Sequence, residues 1–255
     1  MKNIIKKLVL TIFVYLFVIS CSSNTEPQQT KIEYPTILFP IGRVKADSIQ
    51  NSIRTNEFFS FIDDYGLFSN SGSLNRGSSN ITNKNVAIKF AKESLLKYSK
   101  YSNINDTSKL KLEESSNNNP YTDWVISFGN QQYDGLEVLN TNIYVIVHDQ
   151  VKQIIGHHFK EISIPTKNLF PKESLEEKIV GQKLETSGKT NMEVTITSEM
   201  IFKDKIDKSI IWSEFNSSIE LRVVWNIPIG YTYDIVRWNV YVDILSGEML
   251  SYKTN

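Results

Sequence analysis

Two stretches near the end of the chain alternate strictly between apolar and polar residues. The apolar positions of the first are Ile219, Leu221, Val223, Trp225, Ile227 and Ile229, and those of the second are Val236, Trp238, Val240, Val242 and Ile244. A period of two places every second side chain on the same face of a strand. The pattern therefore predicts an antiparallel sheet with one face on a helix and the other in water. Further strands of this sheet are predicted at 192–202 and 248–252.

A helix followed by an antiparallel sheet is predicted twice along the chain. Before the sheet described above, a helix is predicted from Pro171 through the apolar residues Leu175, Ile179, Val180 and Leu184. In the first half, apolar residues spaced by three and four predict an amphipathic helix over 83–101, capped by Thr82. Strands are predicted after it at 124–128, 142–149 and 151–155. The expected fold class is α+β, with two tandem modules at 31–165 and 166–255, each a helix packed on an antiparallel β-sheet.

The first twenty residues have the features of an export signal. Three lysines precede the apolar run Leu8–Ile19, which spans about 18 Å as a helix and is too short for a hydrocarbon core of about 30 Å. Ser20 and Cys21 then resemble the cleavage box of bacterial lipoproteins, although Val18 stands where that box prefers Leu.

Residues 1–20 are therefore predicted to be a lipoprotein signal peptide, with Cys21 as the lipidated first residue of the mature chain and 21–30 as a flexible tether. The alternative is an ordinary secretory signal that leaves Cys21 with a free thiol. The expected location is outside the cytoplasm, with the chain lipid-anchored in the cell envelope and facing the periplasm or the cell surface.

The composition restricts the chemistry of the chain. Its 28 basic residues balance 28 acidic ones, so no excess of positive charge points to nucleic acid. The single cysteine excludes an intrachain disulfide and a multi-thiolate zinc site. His157 and His158 are adjacent and would point to opposite faces of a strand. The acidic pairs Asp63–Asp64 and Asp204–Asp207 lack a calcium-binding loop. No metal, cofactor or catalytic residue is predicted.

The four tryptophans are predicted to be structural for the most part. Trp225 and Trp238 lie on apolar strand faces, so we expect them in the core. Trp212 stands in a polar segment that is predicted to be a connection between strands, which leaves an exposed position open for it.

Two segments resemble the propeptide region of secreted thermolysin-type metalloproteases. Residues 128–156 resemble the propeptide motif shared by fungalysin and thermolysin precursors, although the usual proline of its turn is missing. The matching residues are Gln131, Gln132, Tyr133, Gly135, Val138, Val147 and Gly156. Residues 221–250 resemble the closing hairpin of a PepSY domain. The matches there are Trp238, Tyr241, Val242, Asp243, Gly247 and Glu248.

This resemblance implies a function without catalysis. The family's zinc peptidase carries His-Glu-x-x-His, and none of His148, His157 and His158 stands in such a motif. The chain is thus expected to be a propeptide-like lipoprotein without the peptidase domain, and Asp243 is expected to stabilise a turn. It would bind protein, and would inhibit, chaperone or localise a secreted peptidase in trans, a metalloprotease being the implied partner. The alternative is an envelope or surface binding lipoprotein unrelated to proteases.

Overall fold

The fold is built mainly from strands. The computed structural model describes residues 33–55, 58, 60–69, 81, 83–118, 123–185, 193–231 and 236–255. In chain order its strands are β1 (Thr36–Leu38), β2 (Phe61–Ile62), β3 (Phe68–Ser69), β4 (Leu112–Asn118), β5 (Asp123–Phe128), β6 (Gln131–Tyr133), β7 (Leu136–Val138), β8 (Ile143–Val147), β9 (Val151–Ile155), β10 (Lys183–Glu185), β11 (Glu193–Thr195), β12 (Asp207–Phe215), β13 (Ser218–Ile229), β14 (Trp238–Asp243) and β15 (Met249–Thr254). Its α-helices are α1 (Arg43–Ile53), α2 (Lys84–Lys97), α3 (Ser99–Ser102) and α4 (Leu175–Ile179).

The predicted signal peptide, Cys21 and the predicted tether lie outside the described residues. In the part of the chain that is described, no helix is both long enough and apolar enough to cross a bilayer.

An antiparallel four-stranded sheet in the order β4-β5-β8-β9 carries α2 on one face. The helix buries Ala87, Ala91 and Leu95 completely, and their spacing of four places them one above another on the same side. At its start, Asn83 Oδ1 accepts a hydrogen bond of 2.8 Å from the Asn85 N–H, which is N-capping geometry. The strands predicted in this region are confirmed, and the helix predicted over 83–101 is divided at Tyr98 into α2 and α3. Asn83 caps the helix, whereas the predicted cap Thr82 lies outside the described residues.

A seven-stranded sheet is the larger layer, with the order β15-β14-β13-β12-β7-β6 and with β1 beside β13. β13 pairs with three neighbours, because β1 and β14 follow one another along the same edge while β12 covers the other. The apolar residues predicted on one face of β13 are all buried. β7 runs parallel to β12, whereas the other ladders of this sheet are antiparallel.

Each sheet covers its own hydrophobic core. The core of the four-stranded sheet lies under α2 and includes Phe68, Ile126 and Phe128. The core of the seven-stranded sheet includes Leu221 and Trp238, and short elements such as α4 and the β10–β11 ladder contribute to it.

The prediction of two tandem helix-on-sheet modules is wrong. The seven-stranded sheet is mixed, and it recruits β1, β6 and β7 from the first half of the chain. The second half contains only one short α-helix, α4, of five residues in the part that is described. A sheet this large is instead covered by irregular segments and short turns. The predicted boundary at residue 165 falls in the connection between β9 and the 3₁₀ turn Lys172–Ser174.

Three local predictions in the second half fail. The helix predicted through Leu184 ends at Ile179, because Gly181 adopts a positive φ of 86° and Leu184 continues into β10. The strand predicted at 192–202 is limited to β11, after which the chain forms 3₁₀ turns at Ser198–Met200 and Lys203–Lys205. The connection predicted around Trp212 is in fact strand β12.

Candidate functional site

The connection that leaves β9 brings the two sheets together. Gly156 begins it with a φ of +91°, and a Cβ on this residue would lie only 2.5 Å from the carbonyl oxygen of Asn142. Glycine is the residue that adopts this conformation without strain and leaves room for the neighbouring backbone. The close approach directs the following residue, His157, toward the seven-stranded sheet.

Gln131 holds this connection in place. Its side-chain amide is buried and makes two hydrogen bonds of 2.7 Å with the backbone of Phe159, accepting from the N–H and donating to the carbonyl oxygen. The Phe159 ring contacts two other rings, with centroid distances of 5.0 Å to His157 and 5.9 Å to Trp212, and these two lie 6.5 Å from each other. Gln131 therefore fixes the backbone that carries an aromatic cluster at the junction of the sheets.

His157 and Trp212 each have a buried polar atom without a hydrogen-bond partner in the described part of the chain. His157 Nδ1 lies 3.0 Å from the carbonyl oxygen of Phe68, so this nitrogen carries the proton and Nε2 is an acceptor. Burial lowers the pKa of His157, which leaves the ring uncharged near neutral pH. Among the described residues, neither His157 Nε2 nor the indole N–H of Trp212 finds a hydrogen-bond partner, although both atoms are buried. Native proteins rarely leave such atoms unpaired.

These two rings line a cleft between the sheets. Its cavity measures about 490 Å³, and a second cavity of about 540 Å³ shares the residues Asp63, Ser69 and Glu214 with it. We call the two together the inter-sheet cleft. The four-stranded sheet contributes Tyr144 and Ile155, and the hairpin of β2 and β3 contributes Phe68. The second cavity adds Pro40, Arg43, Phe61, Ile62, Asp64, Tyr65 and Ser217.

The inter-sheet cleft is negatively charged. Among the described residues that line it are the carboxylates of Asp63, Asp64 and Glu214 and one cation, Arg43, which also pairs with Asp47 at 2.8 Å. Arg43 lies 3.6 Å from Asp64, but within the described residues no ion pair reaches Asp63 or Glu214. Desolvation, and then the charges of Glu214, Asp63 and Asp64, raise the pKa of Tyr65. The raised pKa of the Tyr65 phenol thus arises in part from the negative charge of the inter-sheet cleft.

The residues predicted from the family resemblance divide between the cleft and other positions. Gly156 lines the inter-sheet cleft and Gln131 supports its wall. The tight turn Asp134–Gly135, with φ values of 50° and 79°, joins β6 to β7 and places Gln132 and Tyr133 in the hairpin. The remaining ones lie in or after β14 or in the turn to β15, namely Trp238, Tyr241, Asp243, Gly247 and Glu248.

Asp243 lies at the centre of a hydrogen-bonded network. Its Oδ1 accepts from the backbone N–H groups of Leu245 and Ser246 at 2.8 and 2.9 Å, which is a turn-stabilising arrangement. Its Oδ2 accepts from Tyr34 and Arg222, each at 3.0 Å. Burial acts to raise the pKa of Asp243, but these hydrogen bonds outweigh it and hold the pKa below its usual value.

Other groups of interest lie away from the inter-sheet cleft. His148 Nδ1 lies 2.6 Å from the buried carboxylate of Asp123, with Lys152 at 3.7 Å from the same oxygen. Asp204 belongs to a 3₁₀ turn, and Asp207 begins β12. Within the described ranges, no group of three or more His, Cys, Asp or Glu residues could hold a metal ion.

No sequence motif indicates that Trp212 and Glu214 share a site with Asp63. The polar surroundings of Trp212 predict a connection, and Asp63 stands in the sequence only as half of an acidic pair. A usable signal lay just beyond them, since Asn216 and Ser217 both have positive φ and form a two-residue hairpin turn. Asparagine followed by a small residue between two β-prone runs predicts such a hairpin, and with it the strand β12.

Comparisons with known proteins do not identify a family. No protein-family model matches the chain, and no curated protein matches it. Among solved structures it is similar to the Bacillus megaterium YpeB C-terminal domain, at 14% sequence identity and a TM-score of 0.33, over 75% of this chain and 72% of that one. At this TM-score the similarity supports no conclusion about fold or function.

Proposed function

We propose that this chain is a non-enzymatic exported lipoprotein that binds a segment of another protein in its inter-sheet cleft. Through this binding it inhibits, chaperones or localises a secreted peptidase in trans. Cys21 carries the lipid that anchors it in the cell envelope. The peptidase as partner comes from the resemblance of residues 128–156 and 221–250 to protease propeptides.

The inter-sheet cleft is the observation that carries the proposal. It combines an apolar aromatic wall with polar atoms that have no partner among the described residues, namely His157 Nε2 and the Trp212 indole N–H. An extended polypeptide offers one N–H donor and one carbonyl acceptor per residue. The N–H can donate to His157 Nε2, and the carbonyl oxygen can accept from the Trp212 indole N–H. Clefts of this size with few convergent polar groups are typical binding sites.

The test is site-specific cross-linking from the inter-sheet cleft. A photoreactive amino acid replaces Tyr144, which is 40% exposed at the edge of the cleft, in the mature chain with Cys21→Ala. The matched control carries the same group at the exposed Glu173, which lines a different cavity. Both proteins are irradiated in the organism's secreted and envelope fractions, and the proteins cross-linked at Tyr144 but not at Glu173 are identified.

Each captured protein is then purified and assayed for proteolysis with and without the chain. A peptidase captured from the Tyr144 position supports the proposal if its activity or refolding yield depends on the Cys21→Ala chain, or if its membrane association depends on the chain that retains Cys21. Capture of envelope proteins alone, with no effect on proteolysis, supports the alternative of a binding lipoprotein unrelated to proteases. Equal cross-linking from both positions contradicts a binding role for the inter-sheet cleft.

A further inference from the structure

The carboxylates of the inter-sheet cleft are arranged to receive a cation. Asp63 uses Oδ1 to accept two backbone N–H groups at 2.9 Å, from Tyr65 and Leu67, so the loop itself fixes this carboxylate. Its second oxygen has no hydrogen-bond partner within the described ranges, and neither has the side chain of Glu214. Asp63 and Glu214 line both cavities, so a positive group placed there would meet two uncompensated charges.

The wall beside these carboxylates is aromatic. Phe68, Tyr144, His157 and Trp212 all line the cavity of about 490 Å³. Aromatic faces attract cations through the ring quadrupole, and a planar guanidinium stacks on them especially well. Because the His157 ring is uncharged near neutral pH, it does not repel a cation. An apolar side chain would leave the two carboxylates unpaired, and an acidic one would add a third negative charge.

The unpaired atoms indicate what accompanies the cation. Ammonium and guanidinium groups carry only donors, and so can satisfy both carboxylates and the acceptor His157 Nε2. The indole N–H of Trp212 is a donor and requires an acceptor, which a peptide carbonyl supplies. A basic residue within an extended peptide contains both kinds of group at neighbouring positions.

We infer that the inter-sheet cleft recognises a lysine or arginine side chain presented on an extended segment of the bound protein. Asp63 and Glu214 pair with the cation, the aromatic wall covers its aliphatic stem, and Trp212 donates to the adjacent peptide carbonyl. The inference rests on the proposed binding function and adds the chemistry of the residue that is bound. It makes binding sensitive to ionic strength, because partly exposed ion pairs are screened by salt.

The probes are four short synthetic peptides with glycine on both sides of a central arginine, lysine, norleucine or glutamate. Their dissociation constants for the mature Cys21→Ala chain are measured by calorimetry at low and at physiological ionic strength. We expect the arginine and lysine peptides to bind, and the norleucine and glutamate peptides to bind at least about tenfold more weakly, the difference expected for losing a charge-assisted hydrogen bond. Affinity for the basic peptides falls as salt is added.

The decisive variant is Glu214→Gln, because Glu214 is exposed and its loss leaves the fold intact. We expect about fivefold to tenfold weaker binding of the arginine peptide. The matched control Glu173→Gln removes the same charge at an exposed glutamate outside the inter-sheet cleft and leaves the affinity within about twofold. Trp212→Phe keeps an aromatic ring without the N–H and weakens both basic peptides, and thermal unfolding checks that the variant is folded.

Equal affinity for the glutamate and arginine peptides, or unchanged affinity in Glu214→Gln, overturns the inference. Cross-linking of a peptidase from Tyr144 distinguishes a failure of the proposed function from a failure of the preference for a basic residue. If the peptidase is captured equally well by Glu214→Gln, the proposed function stands and the preference for a basic residue is wrong. If nothing is captured and no peptide binds, both are wrong.

Discussion

Acidification below neutral pH should destabilise the protein through His158. Burial, and then the charge of His157, lower the pKa of His158 from 6.5 to about 4. The unfolded chain therefore binds a proton near pH 6.5, while the folded protein resists it until about pH 4. Stability is lost as the pH falls below 6.5 and stops falling once the folded form also titrates. A gap of this size amounts to about 2 kcal/mol at about pH 5 and about 3 kcal/mol near pH 4.

The structure gives a physical reason for this gap. His158 Nε2 is buried without a hydrogen-bond partner within the described part of the chain, so a proton on it would lack both water and an acceptor. The His158 backbone is anchored separately, because its N–H donates to Ser102 and its carbonyl oxygen accepts from Asn103, each at 2.8 Å. A substitution of the side chain leaves these bonds in place.

The assay is urea unfolding of the wild type and His158→Gln across a pH series from about 7.5 to about 4.5. Carboxylates such as Asp243 titrate in both proteins, so their contribution cancels in the comparison. We expect the wild type to lose about 2 kcal/mol more than the variant between pH 7 and pH 5. Parallel curves for the two proteins would refute the reasoning. His157→Gln serves as a second case, because burial lowers the pKa of His157 as well.

Three further predictions concern stability and location. Gly156→Ala should lower the free energy of unfolding in urea by more than about 2 kcal/mol. Gly135→Ala should lower it by only about 1 kcal/mol, because Gly135 has a positive φ but open space around it. Equal losses would mean that the close approach of the Asn142 backbone to Gly156 is unimportant. Asp243→Asn should lose about 2–3 kcal/mol, because it breaks a buried charged network, and Tyr34→Phe only about 1 kcal/mol. A smaller loss for Asp243→Asn than for Tyr34→Phe would contradict this order. Cys21→Ala should move the protein from the membrane fraction to the soluble fraction, and an unchanged distribution would contradict anchoring through this residue.

Local periodicity predicted the elements whose pattern depends on one buried face. The alternation at 219–229 and 236–244 corresponds to β13 and β14, and the helical spacing of Ala87, Ala91 and Leu95 corresponds to α2. These segments bury one side against a core, so their sequences carry the period of their structure.

The arrangement of the sheets depends on which strands pair with one another, and local periodicity does not predict that pairing. β7 is only three residues long, and it joins the larger sheet through a parallel pairing with β12. In β12 the adjacent residues Ser209 and Ile210 are both buried and the consecutive residues 213–215 are all exposed, so its burial does not alternate regularly. Recognition of the hairpin turn at 216–217 would have identified β12. The recruitment of strands from the first half depends on contacts between residues far apart in the chain.

The inter-sheet cleft was unpredictable for the same reason. Asp63, His157 and Trp212 come from three separate segments, and each had an ordinary structural interpretation by itself. The family resemblance did identify Gln131 and Gly156, whose packing shapes one wall of the cleft. It gave no indication of the opposite wall, because that wall depends on the position of β12.

The hydrogen bond from Tyr34 to Asp243 joins residues 209 positions apart. Tyr34 and the neighbouring strand β1 therefore emerge from the ribosome long before their partners, by roughly 10–40 s at 5–20 residues per second. Until then the edge of β13 that β1 covers does not exist, and the larger sheet cannot close. A pairing across so long a separation delays closure of the larger sheet until nearly the whole chain has been made. If the chain is exported as proposed, late closure keeps the larger sheet open while the chain crosses the membrane.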